Sequence, residues 1–204
     1  MNLKTQLLNI PGIYNVIQIL DMDFPHVAKR LIEKYPHDSI LEIGCGPGTI
    51  MKFIRPKYYV GVDNNLSYIQ YARKHFGSPA RNFLFLNAQN LQPLNKKFDI
   101  VLFMNVIHHM TDVQLQTVLS NLTKNIRFKR IILFDSKPDL GPLSAVLEKI
   151  DEGENFRELP EIKKIFRKQL TIERSFVIKK FYWLYKYPTI IAKKTLILPE
   201  HQRR

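Results

Sequence analysis

At 204 residues, with 45% hydrophobic composition and a formal net charge of +13, the chain is long enough to bury one sizeable core and too short for two ordinary domains with long linkers. Its apolar runs, such as residues 131–134 and 195–198, fall far short of the roughly 20 residues of a membrane span, and residues 1–10 lack the pattern of a secretory leader. Cys45 is the only cysteine, which excludes an internal disulfide and fits a reducing, cytoplasmic setting.

In chain order, residues 3–10, 13–20 and 24–34 carry apolar side chains at near-helical spacing, which predicts helices within residues 1–37 ahead of the first strand. Residues 39–43 form a near-continuous apolar run, the pattern of a parallel strand covered on both faces. A glycine turn follows, Gly44-Cys45-Gly46-Pro47-Gly48, then a short helical segment over 49–54 stopped by Arg55-Pro56, and a second strand over 58–62 ending at Asp63. Glycines at 44, 46 and 48 remove Cβ where the backbone must turn tightly and lie against a ligand, and Asp63, about 20 residues on, suits ribose hydroxyls.

Residues 66–76 predict a helix ended by Gly77 and Pro79. Strands are expected over 83–86, 98–104 and 130–134, with Thr111-Asp112 opening the helix between the last two. Beyond Asp135 come helices over 144–150 and 161–170, a strand over 171–183, a turn over 185–188 and a final strand over about 189–198 with Pro188 at its start. No internal repeat or flexible linker interrupts this order. The expected fold is α/β: one Rossmann-like, doubly wound domain over 1–204, with a core over 38–135, a helical insert over 136–170 and a terminal hairpin over 171–199.

The glycine turn, preceded by Glu42 and followed by Asp63, resembles motif I and the acidic motif of class I S-adenosylmethionine-dependent methyltransferases of the small-molecule, UbiE-like type. The G-x-G-x-G spacing differs from the G-x-G-x-x-G of nicotinamide sites. The resemblance implies seven mostly parallel strands with an antiparallel C-terminal hairpin, S-adenosylmethionine as cofactor and S-adenosylhomocysteine as product. Carried over position by position, it puts Glu42, Gly44, Cys45, Gly46 and Gly48 beside the methionine end, and Asp63 with Asn64 at the ribose. Asn87, Ala88 and Gln89 fall at the adenine, where amides replace the acids the family shows and still accept from an amine. Asn105 falls at the end of the fourth strand, near the methionine end.

His108 and His109 follow Asn105. They suit either substrate orientation and proton transfer or packing against the helix opened by Thr111, with His109 ahead because it lies nearer the open edge in the family. Cys45 reads as a small residue fitting the turn. No zinc-hydrolase, paired-cysteine or P-loop pattern occurs, and Asn105-Val106-Ile107-His108 departs from the Asn/Asp-Pro-Pro-Tyr/Phe of exocyclic-amine methylation of nucleic acid. No metal is expected.

The leading function is in-line methyl transfer to a small molecule, with lids formed by residues 3–34 and 136–170. A cofactor-binding scaffold without turnover is the first alternative. The second is an RNA- or lipid-associated methyltransferase drawn by the basic C-terminal region. There, residues 161–204 carry twelve Lys or Arg against Glu161, Glu173 and Glu200, with Tyr182, Trp183, Tyr185 and Tyr187 interleaved. A solvated face and a core strand account for the same residues, so nucleic acid and anionic membrane are not favoured as partners.

Overall fold

The computed structural model describes residues 24–92, 94, 96–139, 154–179 and 185–195. The helices expected over 3–10, 13–20 and 144–150 lie outside them. So do Lys180, Tyr182 and Trp183.

Eight strands form one sheet. Strands β1 (Ser39–Ile43), β2 (Tyr58–Asp63), β3 (Arg81–Phe85), β4 (Lys97–Met104) and β5 (Arg127–Phe134) run parallel in the order β3-β2-β1-β4-β5. Beyond them lie β6 (Lys137–Pro138), β7 (Leu170–Lys179) and β8 (Tyr185–Lys194), with β8 antiparallel to all its neighbours. Order reverses beside β1, and such a switch point opens a crevice at the carboxyl ends of the strands.

Strand alternation splits the core in two. On one face, Leu41, Val60, Val101 and Ile131 pack against Leu115, Val118 and Leu122 of α3 (Asp112–Asn125) and Ile162 and Phe166 of α4 (Leu159–Phe166). On the other, Ile40, Tyr59, Ile100 and Ile132 pack with Ala28 and Ile32 of α1 (Phe24–Ile32) and Ile69 and Ala72 of α2 (Leu66–Phe76). Helix α2 starts where Asn65 accepts from the amides of Ser67 and Tyr68. Helix α3 starts at a capping box in which Thr111 and Gln114 satisfy each other's backbone amides.

The C-terminal third departs from the sequence expectation. Helix α4 begins at Leu159, two residues before the expected start, because Glu158 and Glu161 form a capping box there and Pro160 suits a first turn. It stops at Phe166, since Leu170 already pairs with Lys194 in the hairpin. Residues 185–188, expected as a turn, are the first part of β8. Pro188 therefore sits inside a strand paired on both sides. It is tolerated because its carbonyl, which accepts from Asp135 N at 3.3 Å, faces the break between β5 and β6. In an antiparallel ladder the N–H would return a bond on that same side, so the donor that proline lacks is the one missing where β5 gives way to β6. The eighth strand, β6, is the two-residue continuation of β5 past that gap.

Candidate functional site

At the carboxyl end of β1 the glycines at 44, 46 and 48 adopt φ of 70°, 51° and 75°, the left-handed region that a Cβ makes costly. The amides of Gly44 and Cys45 both donate to Val62 O, at 2.8 and 3.0 Å. Gly44 is also in close contact, since a Cβ there would lie 2.2 Å from Val106 Cγ2. The glycine turn is thereby pressed against the loop that follows β4.

Asp63 closes the turn from the other side. Its Oδ2 accepts from Gly46 N and its Oδ1 from Asn65 N, each at 2.8 Å. Burial raises its pKa, opposed by amide bonds from Asn65, Gly46 and Asn64. Three amide donors on two oxygens leave one lone pair for a hydroxyl donor. Asp63 is also tied to the end of β3, because Leu86 N donates to Asp63 O at 2.9 Å.

Glu42 points in phase with Ile40 and is 0% exposed. Tyr59 donates its hydroxyl to Glu42 Oε2, while Glu42 Oε1 has no hydrogen-bond partner among the described residues. Desolvation pushes its pKa up to about 8, the Tyr59 bond lowering and the Asp63 charge raising it. Cys45 is buried as well, and burial raises its thiol well above the ordinary range, so it is a neutral filler of the turn.

Asn105 follows β4 at φ 49°, a conformation Asn tolerates better than most side chains. Its amide donates to Phe134 O at 3.0 Å, and its Oδ1 is the second buried acceptor without a partner among the described residues. His108, 2% exposed, meets Asp135 Oδ1 through Nδ1 at 3.0 Å and stacks on Phe156 at 5.0 Å. Asp135 Oδ1 also accepts from the amides of Val106 and Ile107. His109 is exposed, its ring 4.1 Å from that of His108.

The stretch Asn87–Gln89 lies beyond β3. Asn87 Oδ1 accepts from Gln89 N at 2.9 Å, capping the 3-10 turn Ala88–Asn90. Asn121 donates to Gln89 O and Asn125 to Leu91 O, so this turn leans on α3. The glycine turn, Glu42, Asp63 and Asn105 thus converge at one sheet edge. His108 is turned into its contact with Asp135 instead.

Sequence reading missed three residues of this region. Tyr59 looked like one more apolar strand position. Asp135 carried a signal, since an acid ends β5 as Asp63 ends β2. Arg157 carried none. It is 7% exposed, donating to Ile107 O, Met110 O, Asn155 O and Asp112.

The basic hairpin is partly matched by acids. Lys137 and Lys186 pair with Glu158, and Arg130 and Lys193 with Glu173. Tyr187 is buried and stacked on Phe134 at 4.9 Å, the core role expected of alternate strand residues. No cluster of metal-ligating side chains occurs among the described residues, and no helix there is long and apolar enough to cross a membrane.

Residues 40–128 match the family model described as a methyltransferase domain. No curated protein matches the chain. Among solved structures it is similar to a putative methyltransferase of Haloferax volcanii in complex with the Trm112 methyltransferase activator, at TM-score 0.70 and 14% identity over 87% of this chain and 92% of that one. It is similar to the N-methyltransferase NodS of Bradyrhizobium japonicum with S-adenosylhomocysteine, at TM-score 0.63 and 14% identity over 80% and 81%. It is also similar to the magnesium protoporphyrin IX methyltransferase of Synechocystis with the same ligand, at TM-score 0.59 and 19% identity over 96% and 88%. At these identities the likeness establishes the fold.

Proposed function

We propose that this chain, whose residues 40–128 match a methyltransferase-domain model, is a class I S-adenosylmethionine-dependent methyltransferase that transfers the methyl group of that cofactor directly to a small-molecule acceptor. The observation that carries the cofactor site is the buried Glu42 Oε1 beside the glycine turn, without a hydrogen-bond partner among the described residues. A buried acceptor without a donor is costly, and the cofactor's ammonium would satisfy it. Asn105 Oδ1 is a second such acceptor at the same edge.

When bound, S-adenosylmethionine supplies a methyl group already activated by its positive sulfur. The chain then has to bind, orient and exclude water. Glu42, Gly44, Cys45, Gly46 and Gly48 hold the methionine end, Asp63 and Asn64 the ribose, Asn87 to Gln89 the adenine, and Asn105 the rim nearest the acceptor. His108 is a positioning residue, held by Asp135. His109, exposed beside it, is the proton acceptor if the acceptor atom must lose one. The small-molecule reading is supported by Asn105-Val106-Ile107-His108 after β4 and by a neighbour named for magnesium protoporphyrin IX.

The test is a calorimetric and thermal-shift titration with S-adenosylmethionine and S-adenosylhomocysteine, with NAD as control, on wild type and Asp63→Ala. Binding of the sulfonium pair and not NAD is expected. Asp63→Ala should weaken it at least tenfold, since hydrogen bonds to a charged group contribute about 1.5–3 kcal/mol. Binding of none of the three would overturn the cofactor site and leave a non-enzymatic reading. A product-coupled screen then sets small acceptors against RNA, and methylation of RNA alone would overturn the small-molecule reading.

With an acceptor in hand, His109→Ala should lower kcat about a hundredfold and leave cofactor affinity unchanged. An unchanged kcat would mean that positioning alone carries the reaction.

A further inference from the structure

Tyr59 is the second residue of the apolar strand β2, is 0% exposed and packs its ring against Phe83 at 5.3 Å. Phenylalanine would fill that space equally well. The hydroxyl is what needs explaining. It reaches Glu42 Oε2 through a gap left by Gly61, the register partner of Glu42 on the neighbouring strand. A Cβ on Gly61 would stand 2.9 Å from the Tyr59 hydroxyl and 2.8 Å from Cys45 Cβ and Sγ. Any side chain there would push the hydroxyl off the carboxyl group.

We propose that Tyr59 is a positioning residue for the cofactor: its hydroxyl engages one oxygen of Glu42, so that the other is presented to the cofactor's ammonium and the Glu42 proton leaves to solvent as that ammonium binds. This rests on the reading that Glu42 faces the methionine end. The titratable groups around Glu42 are Tyr59, Cys45 and Asp63. Burial raises the first two well above their ordinary ranges, so they stay neutral. Asp63 adds a like charge that holds the proton on Glu42. With Glu42 pushed up to about 8 in the empty protein, a cation must displace a proton at neutral pH. The Tyr59 bond favours the ionised carboxylate and makes that displacement easier.

The test is titration calorimetry at pH 7, in buffers of different ionisation enthalpy, with two probes. S-adenosylhomocysteine carries the ammonium, and methylthioadenosine lacks the whole amino-acid part. Wild type should release about one proton per S-adenosylhomocysteine bound and none with methylthioadenosine. Tyr59→Phe should weaken S-adenosylhomocysteine about tenfold, shift the rise of its affinity to higher pH and leave methylthioadenosine within twofold. Equal weakening of both probes would make Tyr59 merely structural and overturn the proposal, as would unchanged affinity for both. Absence of proton release from wild type overturns it without any variant. Glu42→Gln separates the two levels. If it binds S-adenosylhomocysteine as wild type does, the underlying placement of the ammonium fails. If it binds weakly while Tyr59→Phe binds normally, only the role of Tyr59 fails.

Discussion

Glu42→Gln should make the ligand-free protein more stable as pH rises, and by more than any other single substitution at the site. In the folded chain the Glu42 carboxyl titrates near pH 8, against 4.5 for the ordinary group, chiefly because burial penalises its charge. Between those values the folded protein holds a proton that the unfolded chain has released. Wild-type stability therefore falls as pH climbs from about 4.5 to about 8 and levels off beyond. The span corresponds to a loss on the order of 5 kcal/mol. Glutamine never ionises, so the variant escapes that loss.

Thermal melts should find the two proteins alike near pH 4.5. By pH 9 they should be separated by about 10 °C or more, since a domain of this size shifts roughly 2–4 °C per kcal/mol. Asp63, also raised by burial, is present in both proteins, so its own contribution largely cancels in the difference. Saturating S-adenosylhomocysteine should narrow or reverse the order, because only the wild type keeps a carboxylate for the ammonium. Parallel melts across the pH range would show that Glu42 does not hold its proton in the folded chain. The gap at high pH and its narrowing by ligand would together be the signature of a site held ready at the expense of stability.

That liability was partly legible in the sequence. Alternation along β1 places Glu42 on the same face as Ile40, so a buried carboxylate under the glycine turn follows from period two alone. The glycine turn over 44–48, the helix start at Thr111 and the Gly77 stop are all local, and local signals survive in one dimension. What was not legible depends on residues far apart in the chain. Nothing near Tyr59 says that its hydroxyl is used, because the partner lies on another strand and a tyrosine in an apolar run looks like core. Residues 185–188 suggested a turn because Pro188 suggested a strand start, whereas the proline is accommodated at a gap in the opposite strand. Asn87, expected at the adenine, caps a turn that depends on local sequence: its Oδ1 takes the Gln89 amide, which leaves its remaining lone pair and its NH2 for a ligand.

Arg157→Ala should cost about 2–5 kcal/mol and loosen the loop that presses on the glycine turn. The guanidinium lies just before α4, yet its bonds go to the post-β4 loop: to Ile107 O at 2.9 Å and to Met110 O at 2.6 Å, with Asn155 O at 3.0 Å beside them. Asn155 N returns a bond to His108 O at 3.0 Å, and Phe156 stacks on the His108 ring. Truncation takes a donor from the carbonyls of Ile107, Met110 and Asn155, of which Ile107 O keeps the amide of Met110 at 3.1 Å, and a buried acceptor left unsatisfied costs about 1–3 kcal/mol. The ion pair with Asp112 adds little, because that carboxylate is 66% exposed.

Asp112→Asn should therefore stay within about 1 kcal/mol of wild type, and Arg157→Lys should fall between, lacking the planar fork that serves several carbonyls at once. Hydrogen exchange gives the sharper measurement. Amides of Asn105 to Met110 should exchange faster in Arg157→Ala than amides of β1 and β2, whose ladders Arg157 does not touch. Because Val106 Cγ2 occupies the space a Cβ on Gly44 would take, opening this loop also uncovers the glycine turn, and affinity for S-adenosylhomocysteine should fall with it. Uniform acceleration across the sheet would instead mean that Arg157 supports the whole fold. In that case the segment entering α4 would have no particular hold on the site.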